Sequence, residues 1–223
     1  MQSNAYRKHS LIMYFINRFD AAMKLSKKLG KYRGQNGVIL AVPRGGVPIG
    51  FYLARYLDFQ LDLLMTKKLG HPLNPEFAIG AVGLEDSIIE ESENVPPEYI
   101  KQKTSEIREQ LKKRYKDFMG EKEPLDLKGK IIIVVDDGIA TGRTILATIK
   151  MLRSKHPMKL IVAVPVASKQ AAERISKEVD EFICLHIPVP FLGVGRFYND
   201  FSQTTDEKVT GLLKELNARG HAA

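Results

Sequence analysis

Short runs of consecutive apolar, mostly β-branched residues alternate along the chain with longer stretches whose apolar positions recur every three or four residues. The runs are 37–42 (GVILAV), 61–66 (LDLLMT), 130–136 (KIIIVVD), 159–166 (KLIVAVPV) and 180–187 (DEFICLHI). Alternation of such short runs with helical stretches is the pattern of buried strands covered by helices, so these five predict a mostly parallel five-stranded sheet flanked by helices. Between them, 47–57, 143–155 and 169–179 predict crossover helices, 18–29 an entry helix and 97–119 a longer charged one. Residues 67–93 break the rhythm. Gly70, Pro72, Asn74, Pro75, Gly80 and Gly83 are expected to forbid a long regular element there, leaving AIGAVG and SIIE as a short hairpin in a flexible loop. After Ile187 the chain reads as a loop-like hood and then a helix. The expectation is one α/β domain over 1–223, with a core at 18–187, a flexible loop at 67–93, a C-terminal hood at 188–223, and no internal repeat.

Composition narrows the class. A chain of 223 residues, 44% of them hydrophobic, buries roughly 70% of its unfolded surface and needs no disulfides. The single cysteine, Cys184, lies in the apolar segment FICLHI, which predicts a packed thiol, a reducing compartment and a cytoplasmic protein. The N-terminal run LIMYFI is too short for a secretory signal and no stretch is long enough to span a membrane, so export and membrane insertion are not expected. The net charge of +8 is dispersed among acids, as in KQKTSEIREQLKKRYKDF, which reads as a solvated helix face rather than a nucleic-acid patch. The same balance draws a small polyanion. His9, His71, His156, His186 and His221 share no metal-ligand spacing with one another or with Cys184.

The chemistry concentrates in residues 131–144, IIIVVDDGIATGRT. An apolar strand ends in Asp136 and Asp137, followed by a small-residue loop and a helix. In an open parallel sheet the carboxyl ends of strands face the ligand crevice. The loop 138–142 can turn successive N–H groups inward, the helix adds its positive end, and Thr141 and Thr144 add hydroxyls, which together suit a phosphate. Two carboxylates beside it repel phosphate but accept hydrogen bonds from hydroxyls a few ångströms further on. A 5-phosphorylated ribose has that pattern. Neither a Walker loop nor a dinucleotide fingerprint is present. A second anion loop follows the first strand, where Pro43, Arg44, Gly45 and Gly46 lead into a helix. Lys67 and Lys68 follow the second run directly.

The segment VVDDGIATGRT resembles the signature of the type I phosphoribosyltransferases, and the order of elements agrees with that family from about residue 18 to 187. The resemblance implies that Asp136 and Asp137 hold the ribose hydroxyls. It places the 5-phosphate on Ala140, Thr141, Gly142, Arg143 and Thr144. Arg44, Gly45 and Gly46 become the pyrophosphate loop, often with a cis peptide; Lys67 and Lys68 reach the diphosphate, and LGHPLNPEFAIG is the lid, with His71 a weak extra ligand. The implied reaction displaces pyrophosphate from 5-phosphoribosyl 1-pyrophosphate (PRPP) by a nitrogen nucleophile, with Asp136, Asp137, Arg44 and Lys67 carrying it and Mg²⁺ arriving with the substrate. Members acting on 6-oxopurines carry an acid where this chain has Ala140, which argues against hypoxanthine or guanine as acceptor. Phe191, Phe197 and Tyr198 are expected either to stack on a base or to form a packed cover. A homodimer is expected, with LIMYFI as one interface or as buried core. Two alternatives stay open: a sensor that keeps the ribose-phosphate site and binds RNA or DNA, and an enzyme acting on another phosphoribosyl substrate.

Overall fold

The computed structural model describes residues 14–89 and 95–219. In chain order its elements begin with α1 (Arg18–Leu29), β1 (Gly37–Ala41), α2 (Gly46–Leu57) and β2 (Gln60–Leu63). Then come β3 (Thr66–His71), β4 (Asn74–Gly83), β5 (Ser87–Ile89) and α3 (Pro97–Met119). The remainder is β6 (Ile131–Val135), α4 (Arg143–Ser154), β7 (Lys159–Val166), α5 (Lys169–Ile175), β8 (Glu181–His186) and α6 (Asp206–Arg219).

Five strands form one parallel sheet in the order β2-β1-β6-β7-β8. Alternate residues explain why β1 and β6 are wholly apolar. Ile39, Ala41, Ile131, Ile133 and Val135 join the side chains of α1, α2 and α3 on one face. Val38, Leu40, Ile132 and Val134 join those of α4 and α5 on the other. The chain leaves β1 for β2 on one side and later enters β6 on the other, so β1 and β6 flank the topological switch point. Their carboxyl ends diverge into a crevice there.

The structure corrects three expectations. Residues 67–93 do not lack a long element: β3, β4 and β5 form a three-stranded antiparallel sheet, and β4 alone has 10 residues. The expected lid is thus the β3–β4 hairpin, while AIGAVG pairs with β5 as expected. Leu69, Ile79 and Val82 bury one face of this sheet against Ile107 and Leu111 of α3, and burial outweighs the breakers. Second, β2 stops at Leu63; Leu64 still donates to the Ala41 carbonyl at 2.9 Å, but Thr66 already belongs to β3. Third, α5 ends at Ile175, short of the expected end at Val179. The signal-peptide reading and the first half of LIMYFI, residues 11–13, lie outside the described residues. Phe15 of that run is buried within the chain, whereas Ile16 is exposed. Among the described residues no helix is long and apolar enough to cross a membrane.

A buried carboxylate ties β2 to the segment before β6. Asp62 accepts hydrogen bonds from Leu63 N–H (2.7 Å), Tyr115 O–H (2.8 Å) and Leu125 N–H (2.8 Å). Burial holds its carboxyl above the usual range, and the three donors offset part of that. Asp62→Ala leaves these donors unsatisfied and is expected to cost about 3 kcal/mol, lowering Tm by roughly 5–12 °C in a thermal melt. Cys184 is half-buried, its thiol donates to the His186 carbonyl at 3.2 Å, and burial pushes its pKa up to about 11. It is a packed thiol rather than a nucleophile.

Candidate active site at the β1–β6 switch point

The loops after β1 and β6, with the acid pair, stand at this crevice. At the end of β6, Asp137 N–H donates to Asp136 Oδ1 at 2.8 Å, which folds the first carboxylate back under the loop. Burial, and then the charge of Asp137, hold the Asp136 carboxyl well above the ordinary range; the Asp137 N–H and Arg18 oppose this. Burial also raises Asp137, against which Arg18 works by hydrogen bond and charge. Arg18, the first residue of α1, sends Nε (2.9 Å) and Nη2 (2.7 Å) to Asp137 Oδ2. Tyr198 O–H donates to the Asp137 carbonyl at 2.7 Å.

The loop after the acids is stitched to the end of β7. Ile139 N–H donates to Val166 O, Ser168 N–H to Ile139 O, and the Ser168 hydroxyl to Ala140 O at 2.6 Å. Gly142 then adopts φ +70°, a left-handed conformation that favours glycine, and starts α4 without a side-chain cap. Thr141, Arg143 and Thr144 are exposed around this helix start. An uncapped first turn with two hydroxyls and a guanidinium beside it has the donors of a phosphate cradle.

Across the crevice, the Pro43–Arg44 peptide is cis and α2 begins at Gly46. Gly45 lies flat against the acids: a Cβ there would overlap Asp137 Oδ2. The glycine loop after β1 and the acid pair after β6 are therefore in van der Waals contact. Arg44 is partly exposed and reaches Asp206 Oδ1 at 3.5 Å, an oxygen that Arg114 holds more closely at 2.7 Å.

A phosphoribosyl transferase domain profile matches residues 16–196. The chain belongs to the phosphoribosyl transferase family. The crystal structure of TT1426 from Thermus thermophilus superposes with a TM-score of 0.83 at 35% identity, covering 92% of this chain and 99% of that one. A Mycobacterium tuberculosis (strain H37Rv) protein provisionally named a phosphoribosyl transferase is 34% identical over 204 residues, 89% of this chain. The chain spans 46% of that relative's length, so the relative carries further sequence of its own. Over 69 residues, 30% of the chain, it is also 41% identical to a ribose-phosphate pyrophosphokinase of Pyrococcus furiosus, covering 25% of that protein.

Other residues singled out as phosphoribosyl transferase features fall less centrally. Lys67 and Lys68 sit on β3 in the antiparallel sheet; Lys67 Nζ donates to Gln110 Oε1 of α3 at 3.0 Å. His71 ends β3, accepts from Leu73 N–H at 3.1 Å and meets Phe77 edge-on, which is a turn role. Of the aromatic trio, Phe197 and Tyr198 are buried with Phe15 and Val166, so they are a packed cover. Only Phe191 remains partly exposed at its edge. That cover is woven from two distant segments: Phe15 N–H donates to Phe197 O, Asn199 N–H to Phe15 O and Asp200 N–H to Ile16 O.

Nothing in the sequence pattern marks Arg18 as part of the site. It stands 119 residues from Asp137, at a helix start where an arginine reads as solvated. The one local signal is Asn17, whose side chain caps α1 by accepting from Asp20 N–H and so fixes where Arg18 emerges.

Proposed function

We propose that this phosphoribosyl transferase domain takes PRPP, complexed with Mg²⁺, and joins its phosphoribosyl group to a nitrogen acceptor other than a 6-oxopurine, with release of pyrophosphate. The contact of Gly45 with Asp137 is the observation that carries this reading. It brings an anion loop, a hydroxyl-binding acid and a phosphate cradle to one crevice, in the order in which PRPP presents diphosphate, ribose hydroxyls and 5-phosphate. In the reaction the acceptor nitrogen forms a bond to C1, the C1–O bond to pyrophosphate breaks, and the nitrogen loses its proton. Arg44, Lys67, Lys68 and the loop N–H groups would stabilise charge on the leaving diphosphate, where one preorganised donor is typically worth ~10²-fold to 10³-fold in rate. Mg²⁺ would travel with the substrate's diphosphate.

The acceptor we favour is a nucleobase. Ala140 offers it no acid, and its carbonyl is held by Ser168. A homodimer is part of this reading: Ile16 and Phe19 stand 64% and 55% exposed near one another at the start of α1. The test is a screen for pyrophosphate release from PRPP with Mg²⁺ over adenine, orotate, uracil and the 6-oxopurines. Release with one of the first three and little with hypoxanthine or guanine supports the reading. Release dependent on no base, or strongest with hypoxanthine, would sink the acceptor assignment.

A sensor that binds nucleic acid is favoured by one observation. Arg143, Lys150, Arg174 and Lys177 surround a groove of about 510 Å³ between β4 and α4, with exposed Phe77 at its rim. Salt-dependent RNA binding lost in Arg174→Glu/Lys177→Glu would establish that role.

A further inference from the structure

We propose that Arg18 is a positioning residue for the acid pair: anchored by the segment 201–202, its guanidinium holds the Asp137 carboxylate in one orientation against Gly45 of the diphosphate loop. The proposal rests on the PRPP reading above.

Every nitrogen of the guanidinium is engaged. Nε and Nη2 meet the same oxygen of Asp137 at 2.9 and 2.7 Å, and Nη1 donates to the Ser202 carbonyl at 2.8 Å. The Phe201 ring lies under the guanidinium carbon at 4.1 Å. Both ion-pair side chains are mostly buried, at 12% and 13% exposure. A buried, forked and stacked arginine is fixed in a way that an exposed ion pair is not. The oxygen it grips is also the one that lies against Gly45, so a rotation of Asp137 away from Arg18 would alter the contact between the acid and the diphosphate loop. The backbone of Asp137 is pinned too, by its N–H on Asp136 and its carbonyl under Tyr198. Arg18 thus couples the hood to the residue that receives the sugar.

The groups facing Asp137 define what its loss would do. Asp136 adjoins it on its own loop, Arg18 comes from α1, and the Tyr198 hydroxyl comes from the hood with half-buried Cys184 behind it. Arg44 of the diphosphate loop is turned to Asp206. Arg18 is therefore the cation that opposes burial and the charge of Asp136. Without it, the acid pair takes up a proton at higher pH.

The test compares the full chain with Arg18→Gln, Arg18→Lys and Phe201→Leu, titrating Mg²⁺–PRPP and, separately, inorganic pyrophosphate by calorimetry from about pH 5.5 to 8.5, a range of roughly the width over which shifted carboxyls titrate. Arg18→Gln should weaken PRPP binding on the order of 10-fold to 100-fold, as expected when a buried pair loses one partner. It should leave pyrophosphate binding within about twofold, and should move the pH at which PRPP affinity falls upward. Arg18→Lys should recover part of the affinity and most of the pH profile, and Phe201→Leu should lie between wild type and Arg18→Gln even if the glutamine variant folds poorly. Unchanged PRPP affinity and pH profile would make the ion pair purely structural. Tighter binding would make Arg18 a competitor of the sugar, and equal losses of PRPP and pyrophosphate would indicate general damage; each of these overturns the proposal. A wild type that binds pyrophosphate but not PRPP would instead remove the PRPP reading, and this inference with it.

Discussion

Asp136→Asn is expected to bind Mg²⁺–PRPP roughly 10- to 100-fold more weakly than wild type and yet to melt at a higher temperature. The first effect follows from replacing a charged acceptor of sugar hydroxyls, worth about 1.5–3 kcal/mol, by a neutral one. The second follows from electrostatics. Burial and the neighbouring Asp137 raise the Asp136 carboxyl far above its unfolded value. For an acid with a raised folded pKa, the stabilisation from its bound proton is complete below the unfolded pKa of about 3.9 and is lost as pH rises through the folded value. Above the folded value the native state carries an unfavourable charge, which asparagine removes, so the gain in Tm should grow as pH rises. Asp137→Asn should weaken binding as well but gain less in Tm than Asp136→Asn, because it leaves the Arg18 guanidinium buried without its counter-ion. Calorimetric titration and thermal melts of the two single variants and of the double variant check both effects. Wild-type affinity should also decline on acidification at a higher pH than an ordinary aspartate would produce. Weak binding with a lowered Tm in Asp136→Asn would mean that its carboxylate supports the fold instead.

Gly45→Ala should lose PRPP binding by about 10²-fold or more, with the loss extending to pyrophosphate. The added methyl would overlap Asp137 Oδ2, and that oxygen is held by two nitrogens of Arg18. The acid cannot yield cheaply, so the loop from Pro43 to Gly46 must move and its N–H groups leave their positions. A displacement of about 1 Å in a preorganised site is enough for an effect of this size. Gly211→Ala is the matched control: nothing lies within 4 Å of a Cβ there, in the middle of α6. It should raise stability by roughly 0.5–1 kcal/mol and leave binding unchanged. Calorimetry and melting curves on the two variants report the contrast, and Gly45→Ala binding within a few-fold of wild type would refute the role of this contact.

How much of this was legible beforehand depended on whether the deciding contacts were local. The central strands of the sheet were readable because burial on both faces leaves almost no polar position, as in Ile131–Val135. The acid pair and the loop to Thr144 were readable because their functional groups are consecutive. The antiparallel sheet was not, since Gly80 reads as a breaker in isolation. In the fold it is a close approach, where a Cβ would overlap the Ile88 carbonyl, so glycine is what lets β4 and β5 meet. The Arg18 contact was hidden for another reason: it is made by two segments with no common pattern, through a tail whose spacing looked like loop. Likewise, Phe197 and Tyr198 could be seen to be aromatic, but whether they faced a ligand or Phe15 was decided by a partner near the opposite end of the chain.

That distance has a kinetic meaning. The backbone bonds from Phe15 and Ile16 to Phe197, Asn199 and Asp200 close a loop of most of the chain, and the ion pair on Asp137 leans on Ser202. Contacts of such sequence separation form late, after local helices and neighbouring strands have already condensed. During synthesis the parallel sheet as far as β7 can assemble while Ser202 is still unmade, but the acid pair then stands without its anchored arginine. The pocket is therefore expected to be completed after the sheet, which pulse-labelled hydrogen exchange comparing β6 with the Phe15–Asn199 bonds would check.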